Sequence, residues 1–132
     1  MRLPHRRQFL HLAAGAAALP AMSRVARAQA YPSRPVRIMV GFAPGGGTDV
    51  LARIIGQWLS ERLGRQFIVE NRTGAGGNLA TEAAVNARPD GYTLLMAGTN
   101  DATNATLYET LKFNFIRDIV PVASMIQVPN LC

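Results

Sequence analysis

Two glycine-rich stretches, GFAPGGGTD at residues 41–49 and NRTGAGGN at residues 71–78, constrain this chain most. Each follows a short β-type run and opens a helical one, so each reads as a strand-to-helix turn rather than a linker. A helix entered through glycines leaves its first backbone N–H groups without intrahelical acceptors, at the positive end of the helix dipole. Such a start can seat an anion. Two of them on consecutive strands of a 132-residue chain suggest one ligand held between neighbouring turns.

Residues 1–28 read as an export signal rather than as part of the fold. Arg6 and Arg7 precede an apolar stretch from Phe9 to Met22, and Arg24, Arg27 and small residues follow it. The stretch is shorter than the roughly 20 residues a membrane-spanning helix needs. A basic start, an apolar middle and an Ala26-Arg27-Ala28 exit describe a cleavable signal peptide, and the paired arginines before Phe9 and Leu10 point to twin-arginine export, with general secretory export as the alternative. Cleavage at Ala28-Gln29-Ala30 fits equally well. The expected location is therefore the periplasm.

Removing that segment changes the charge argument. It carries five arginines and no acid, so the formal charge of +6 falls to +1 without it. Basicity then no longer speaks for a nucleic-acid partner. His5 and His11 leave with the same segment, so residues 29–132 hold no imidazole for acid–base work or metal ligation. Cys132 is the single cysteine, which excludes an internal disulfide and a CxxC motif. No metal and no cofactor are expected, and no catalytic residue is nominated.

The remaining residues suffice for one modest α/β domain. Val36 to Val40 reads as a buried strand. A helix follows, capped by Gly47 or Thr48, with Val50, Leu51, Ile54, Ile55, Trp58, Leu59 and Leu63 as one apolar stripe that places Trp58 in the core. Gly64 supplies its left-handed stop. Phe67 to Val69 is a second strand, and a second helix runs from Asn78 as cap through Leu79, Ala80, Ala83, Ala84 and Ala87. Pro89-Asp90-Gly91 is a turn. A third strand, Tyr92 to Ala97, leads to Gly98, Thr99 and Asn100, a third junction of the same kind. Beyond it the pattern weakens: a short helix over 102–111, a loop over 113–117 and an apolar extended segment over 119–128.

Strand, helix, strand, helix, strand implies right-handed crossovers and a parallel sheet with flanking helices. All three junctions then fall at the carboxyl ends of strands, the edge at which open α/β sheets bind ligands.

As a set, three blocks resemble the periplasmic solute receptors of tripartite tricarboxylate transporters, also called Bug receptors. They are YPSRPVRIMVGFAPGGGTDVLAR at 31–53, FIVENRTGAGGNLATEAAVNARPDGYTLLMA at 67–97 and FIRDIVPVASM at 115–125. The resemblance implies a two-lobed, type II-like periplasmic binding protein with a carboxylate in its cleft. By length, residues 29–132 correspond to an incomplete first lobe, and the second lobe is absent. The implied partners are a small carboxylate (a di- or tricarboxylate, an amino acid or an aromatic acid) and the membrane components of the transporter.

The resemblance also implies that one solute carboxylate is gripped by backbone amides and ordered waters of the first two loops. By position these are Phe42, Ala43, Pro44, Gly45, Gly46, Gly47, Thr48 and Asp49, then Thr73, Gly74, Ala75, Gly76 and Asn78. Gly98, Thr99 and Asn100 are expected to contribute from the third junction. Glycine there lets the backbone approach a ligand without a Cβ clash. Asp49 has three open roles: orienting water, serving the helix end, or meeting an amino or amide group of the solute. Arg72 is expected in solvent.

The competing class is a phosphate- or nucleotide-using enzyme domain. Its fingerprint fails, because Val50 and Leu79 stand where G-x-G-x-x-G needs its last glycine and no G-K-[ST] occurs. A third reading is a fragment that binds nothing, since half a cleft encloses little of a solute.

Overall fold

The three apolar runs of the sequence form the sheet. In the computed structural model, which describes residues 30–108 and 110–127, they are β1 (Val36–Val40), β2 (Phe67–Asn71) and β3 (Thr93–Met96). The expected signal segment 1–28 and Cys132 lie outside the described residues. β1 is central, paired in parallel with β2 on one side and β3 on the other, with Val40 opposite both Asn71 and Met96. A central strand covered on both faces is mostly apolar, and the exposed Arg37 is the exception in β1. Val36, Ile38, Met39 and Val40 are accordingly buried, each stabilising the fold by about 1.5–3 kcal/mol.

α1 (Gly47–Leu63) carries the chain from β1 to β2 and covers the face of Ile38. Its contact line differs from the expected stripe. Ala52 and Gly56 are buried at its centre, flanked by half-buried Leu51, Ile55 and Leu59, whereas Val50, Ile54, Trp58 and Leu63 are exposed. Small residues set the line because the helix lies close to the sheet: a Cβ on Gly56 would stand 3.3 Å from the Phe67 carbonyl oxygen. At 100° per residue, 50, 54 and 58 then turn outward. Trp58 is therefore a surface residue in this chain, 54% exposed, with the Arg62 guanidinium 5.1 Å from its ring centre. Gly64 ends the helix at φ 68°, as expected. Ser60 staples that end to the sheet: its hydroxyl donates to the Gly56 carbonyl and accepts the Phe67 N–H.

The second crossover begins with a tight turn, Ala75–Gly77, and continues as α2 (Asn78–Val85) on the opposite face, against β1 and β3. Asn78 is not the cap. Gly77 occupies that position at φ 99°, because the turn enters the helix through a left-handed residue, and the Asn78 side chain turns inward instead. Ala87 lies past the helix end. The 89–91 turn forms as the sequence implies, with the Asp90 carboxylate accepting the Tyr92 N–H and Gly91 at φ 78°. Tyr31 and Arg34 clasp the same turn, through the Gly91 carbonyl and the Asp90 carboxylate.

α3 (Thr99–Leu107) starts three residues earlier than the sequence pattern indicates, because Asp101 draws the Gly98 N–H onto its carboxylate at 2.8 Å. A one-turn helix, α4 (Phe115–Asp118), replaces the expected loop. Asn114 caps it by accepting the Ile116 and Arg117 N–H groups. Residues 119–127 form no helix or strand, and Val120 and Val122 are exposed.

Candidate functional site

Parallel strands place all three junctions on one edge of the sheet, and the chain leaves β1 toward one neighbour and returns past it to the other. Strand order therefore reverses at β1, the position favoured for ligands in open α/β sheets. The first two loops touch there backbone to backbone: a Cβ on Gly41 would lie 2.7 Å from Gly77 Cα.

In the first loop, Phe42, Ala43, Pro44, Gly45, Gly46 and Gly47 are exposed and Asp49 is buried. Asp49 is fully committed. Its Oδ2 accepts the Gly45 N–H (2.9 Å) and Arg53 Nε (2.8 Å), and its Oδ1 accepts the Asn71 amide (2.8 Å). The Arg53 hydrogen bond, then the Gly45 N–H and the Asn71 amide, hold its carboxyl well below the usual carboxylate range. These bonds serve the helix end, folding the loop over the start of α1. Gly46 donates to the Ala43 carbonyl at 3.3 Å. Among the donors left in this loop are the first-turn N–H groups of Gly47, Thr48 and Asp49, which have no intrahelical acceptor.

The second loop runs left-handed through Gly74 (φ 134°), Ala75 (48°), Gly76 (65°) and Gly77 (99°). The Gly77 N–H closes onto the Gly74 carbonyl and the Asn78 N–H onto that of Ala75. Among the described residues, the N–H groups of Thr73, Gly74, Ala75 and Gly76 show no acceptor. Asn78 is buried, its Oδ1 accepts the Asn104 amide at 3.0 Å, and its own Nδ2 has no acceptor.

The third junction reaches the second through one side chain. Asn100 donates to the Gly76 carbonyl (3.1 Å), and the Gly98 N–H belongs to Asp101. Thr99 is exposed, and its carbonyl accepts the Thr103 hydroxyl. Buried Asp101 also accepts the Thr81 hydroxyl at 2.9 Å, which ties α3 to α2.

Sequence reasoning missed the residues that hold this corner: Arg53, Asn71, Asp101 and Asn104. A signal existed for Asp101, which follows Gly98 at the spacing Asp49 keeps from Gly46. The third residue of a helix can return its carboxylate to the N–H groups around the cap. Nothing local marks Asn71 or Asn104, whose partners are distant in sequence.

Arg72 pairs with Glu70 at 2.8 Å and borders a shallow groove of about 690 Å³ between α2 and the sheet, lined also by Arg37, Met39 and Leu79. The groove reaches the second loop at Arg72 and Thr73. Among the described residues no three His, Cys, Asp or Glu side chains gather as metal ligands, and no helix is long and apolar enough to cross a membrane.

Known proteins resemble this chain in sequence and fold. Residues 51–131 match the tripartite tricarboxylate transporter family receptor. Over 104 residues the chain is 39% identical to BugT of Bordetella pertussis, covering 77% of this chain and 32% of that protein. A UPF0065 protein of Agrobacterium vitis is 46% identical over 106 residues, covering 80% of this chain and 31% of that protein. Among solved structures, MatC of Rhodopseudomonas palustris with bound malate superposes with a TM-score of 0.59 at 35% identity, over 67% of this chain and 30% of that one. The chain thus spans about a third of the length of the curated relatives it matches. It belongs to the receptor family of the tripartite tricarboxylate transporters.

Proposed function

We propose that this chain supplies one wall of an exported solute receptor and grips a carboxylate of a small acid through backbone N–H groups at the carboxyl edge of its sheet. One observation carries the reading: two touching strand-to-helix loops keep unpaired donors at Gly47, Thr48 and Asp49 and at Thr73 to Gly76, while the side chains around them are spent on holding the loops in shape. Each N–H given to a carboxylate contributes about 1.5–3 kcal/mol. No arginine clamp is required. Malate bound to MatC supports a small dicarboxylate as the solute class. On this reading residues 1–28 direct export to the periplasm, the remainder of a longer protein closes over the solute, and the membrane components of a tripartite transporter receive it.

Gly47→Val in the complete receptor tests the grip. A Cβ at Gly47 meets nothing within 4 Å, so the fold tolerates the side chain while the branched group covers the helix start. Gly46 is less suitable, because its Cβ would come within 3.3 Å of the Ala43 carbonyl. Calorimetric titration with malate and a panel of di- and tricarboxylates is expected to show affinity lost by more than about tenfold, the equivalent of one charge-assisted hydrogen bond. Unchanged affinity would refute the backbone grip.

A further inference from the structure

The left-handed turn of the second loop is not held by its own two hydrogen bonds alone. Four successive positive φ values, from Gly74 to Gly77, are open to glycine but not required of it, and Ala75 at φ 48° opposes them. What fixes the turn is the Gly76 carbonyl, which accepts Asn104 Nδ2 at 2.9 Å and Asn100 Nδ2 at 3.1 Å. Of the two amides, Asn100 is half-exposed and can exchange its partner for water, whereas Asn104 is buried, 7% exposed. The second amide hydrogen of Asn104 goes to Asn78 Oδ1, so both of its donors depend on this one arrangement.

We infer that Asn104, on α3 and 28 residues from its partner, is a positioning residue for anion capture: its buried amide pins the Gly76 carbonyl and thereby fixes the turn whose free N–H groups the proposed site uses. Rotation of the Gly76–Gly77 peptide away from Asn104 would strand a buried donor, which is expensive, and would break the Gly77-to-Gly74 hydrogen bond as well. α3 therefore serves the site through the second loop, by holding it. The link to solute affinity rests on the carboxylate grip proposed above; the hold on the turn does not.

Asn104→Leu in the complete receptor removes both donors and keeps the branching of the side chain, and Ser60→Ala, which breaks a hydrogen bond at the other end of the sheet, serves as a control for stability loss alone. Without solute, amide exchange at Gly77 and Asn78, whose N–H groups close the turn, is expected to quicken about tenfold in Asn104→Leu, the equivalent of one lost hydrogen bond, and to stay unchanged in Ser60→Ala. Malate affinity is expected to fall about tenfold in the first and less than about threefold in the second. Unchanged exchange in Asn104→Leu overturns the hold. Faster exchange with unchanged affinity overturns the role in capture. A wild-type receptor that binds no carboxylate overturns the proposed function and the capture role together, and the exchange measurement still decides the hold. If Asn104→Leu does not fold, Asn104→Ser, too short to reach the carbonyl, takes its place with the same outcomes.

Discussion

Asp49 and Asn71 lie 22 residues apart in sequence, yet the Asn71 amide donates to the Asp49 carboxylate at 2.8 Å and to the Phe42 carbonyl at 3.0 Å. One side chain from the end of β2 thus fixes both the acid at the start of α1 and the chain that precedes it. The first loop is shaped from the neighbouring strand, with Arg53 closing the triangle through Asn71 Oδ1.

This triangle predicts an acid-sensitive contribution to stability. The folded Asp49 carboxyl titrates below its unfolded value, so its contribution is complete above pH ~3.9 and is lost as pH falls through the lowered folded value. The difference in urea midpoint between wild type and Asp49→Asn is expected to be largest above about pH 4 and to shrink steadily below it. A constant difference from neutral pH into strong acid would show that the carboxylate is not held.

Gly41→Ala tests the contact between the loops. The added methyl would meet the Gly77 backbone at 2.7 Å, a clash that no side-chain rotation relieves. A loss of about 1–3 kcal/mol in denaturant unfolding is expected, together with weaker solute binding.

Ala75 and Gly77 should respond in opposite directions. Ala75→Gly relieves a left-handed alanine and is expected to be neutral or stabilising by up to about 1 kcal/mol. Gly77→Ala, at φ 99° and with its Cβ 3.2 Å from the Asn100 amide, is expected to cost about 1–3 kcal/mol. Paired thermal melts read both.

Ser60→Ala removes the acceptor of the Phe67 N–H. Leaving that donor unpaired at the start of β2 is expected to cost about 1–3 kcal/mol in chemical denaturation, with malate titration of the same variant unchanged within about threefold.

Much of the fold was legible in the sequence because its signals are local. The Val36–Val40 run, the glycine-rich junctions and the Gly64 stop each depend on neighbours a few residues away, and each appears at the expected place. Alternation of strand and helix with right-handed crossovers then leads to a parallel sheet with its loops on one edge. The face of α1 was harder to read. Seven apolar residues cover more than one side of a helix, and only the approach of Gly56 to Phe67 and Ile38 selects the side that faces the sheet.

The candidate site divides along the same line. Sequence by itself determined that glycine-entered helices would offer N–H groups at the edge of a sheet, since missing Cβ atoms and helix polarity are properties of the residues alone. Two local acids already decide part of what stays free: Asp49 takes the N–H of Gly45, four residues away, and Asp101 takes that of Gly98, three residues away. Only tertiary structure decided how the loops that offer the rest are held, since Asn71 reaches the Phe42 carbonyl from 29 residues away and Asn104 the Gly76 carbonyl from 28. Hydrogen bonds of that reach form only after strands have paired and helices have docked, so no local pattern encodes them.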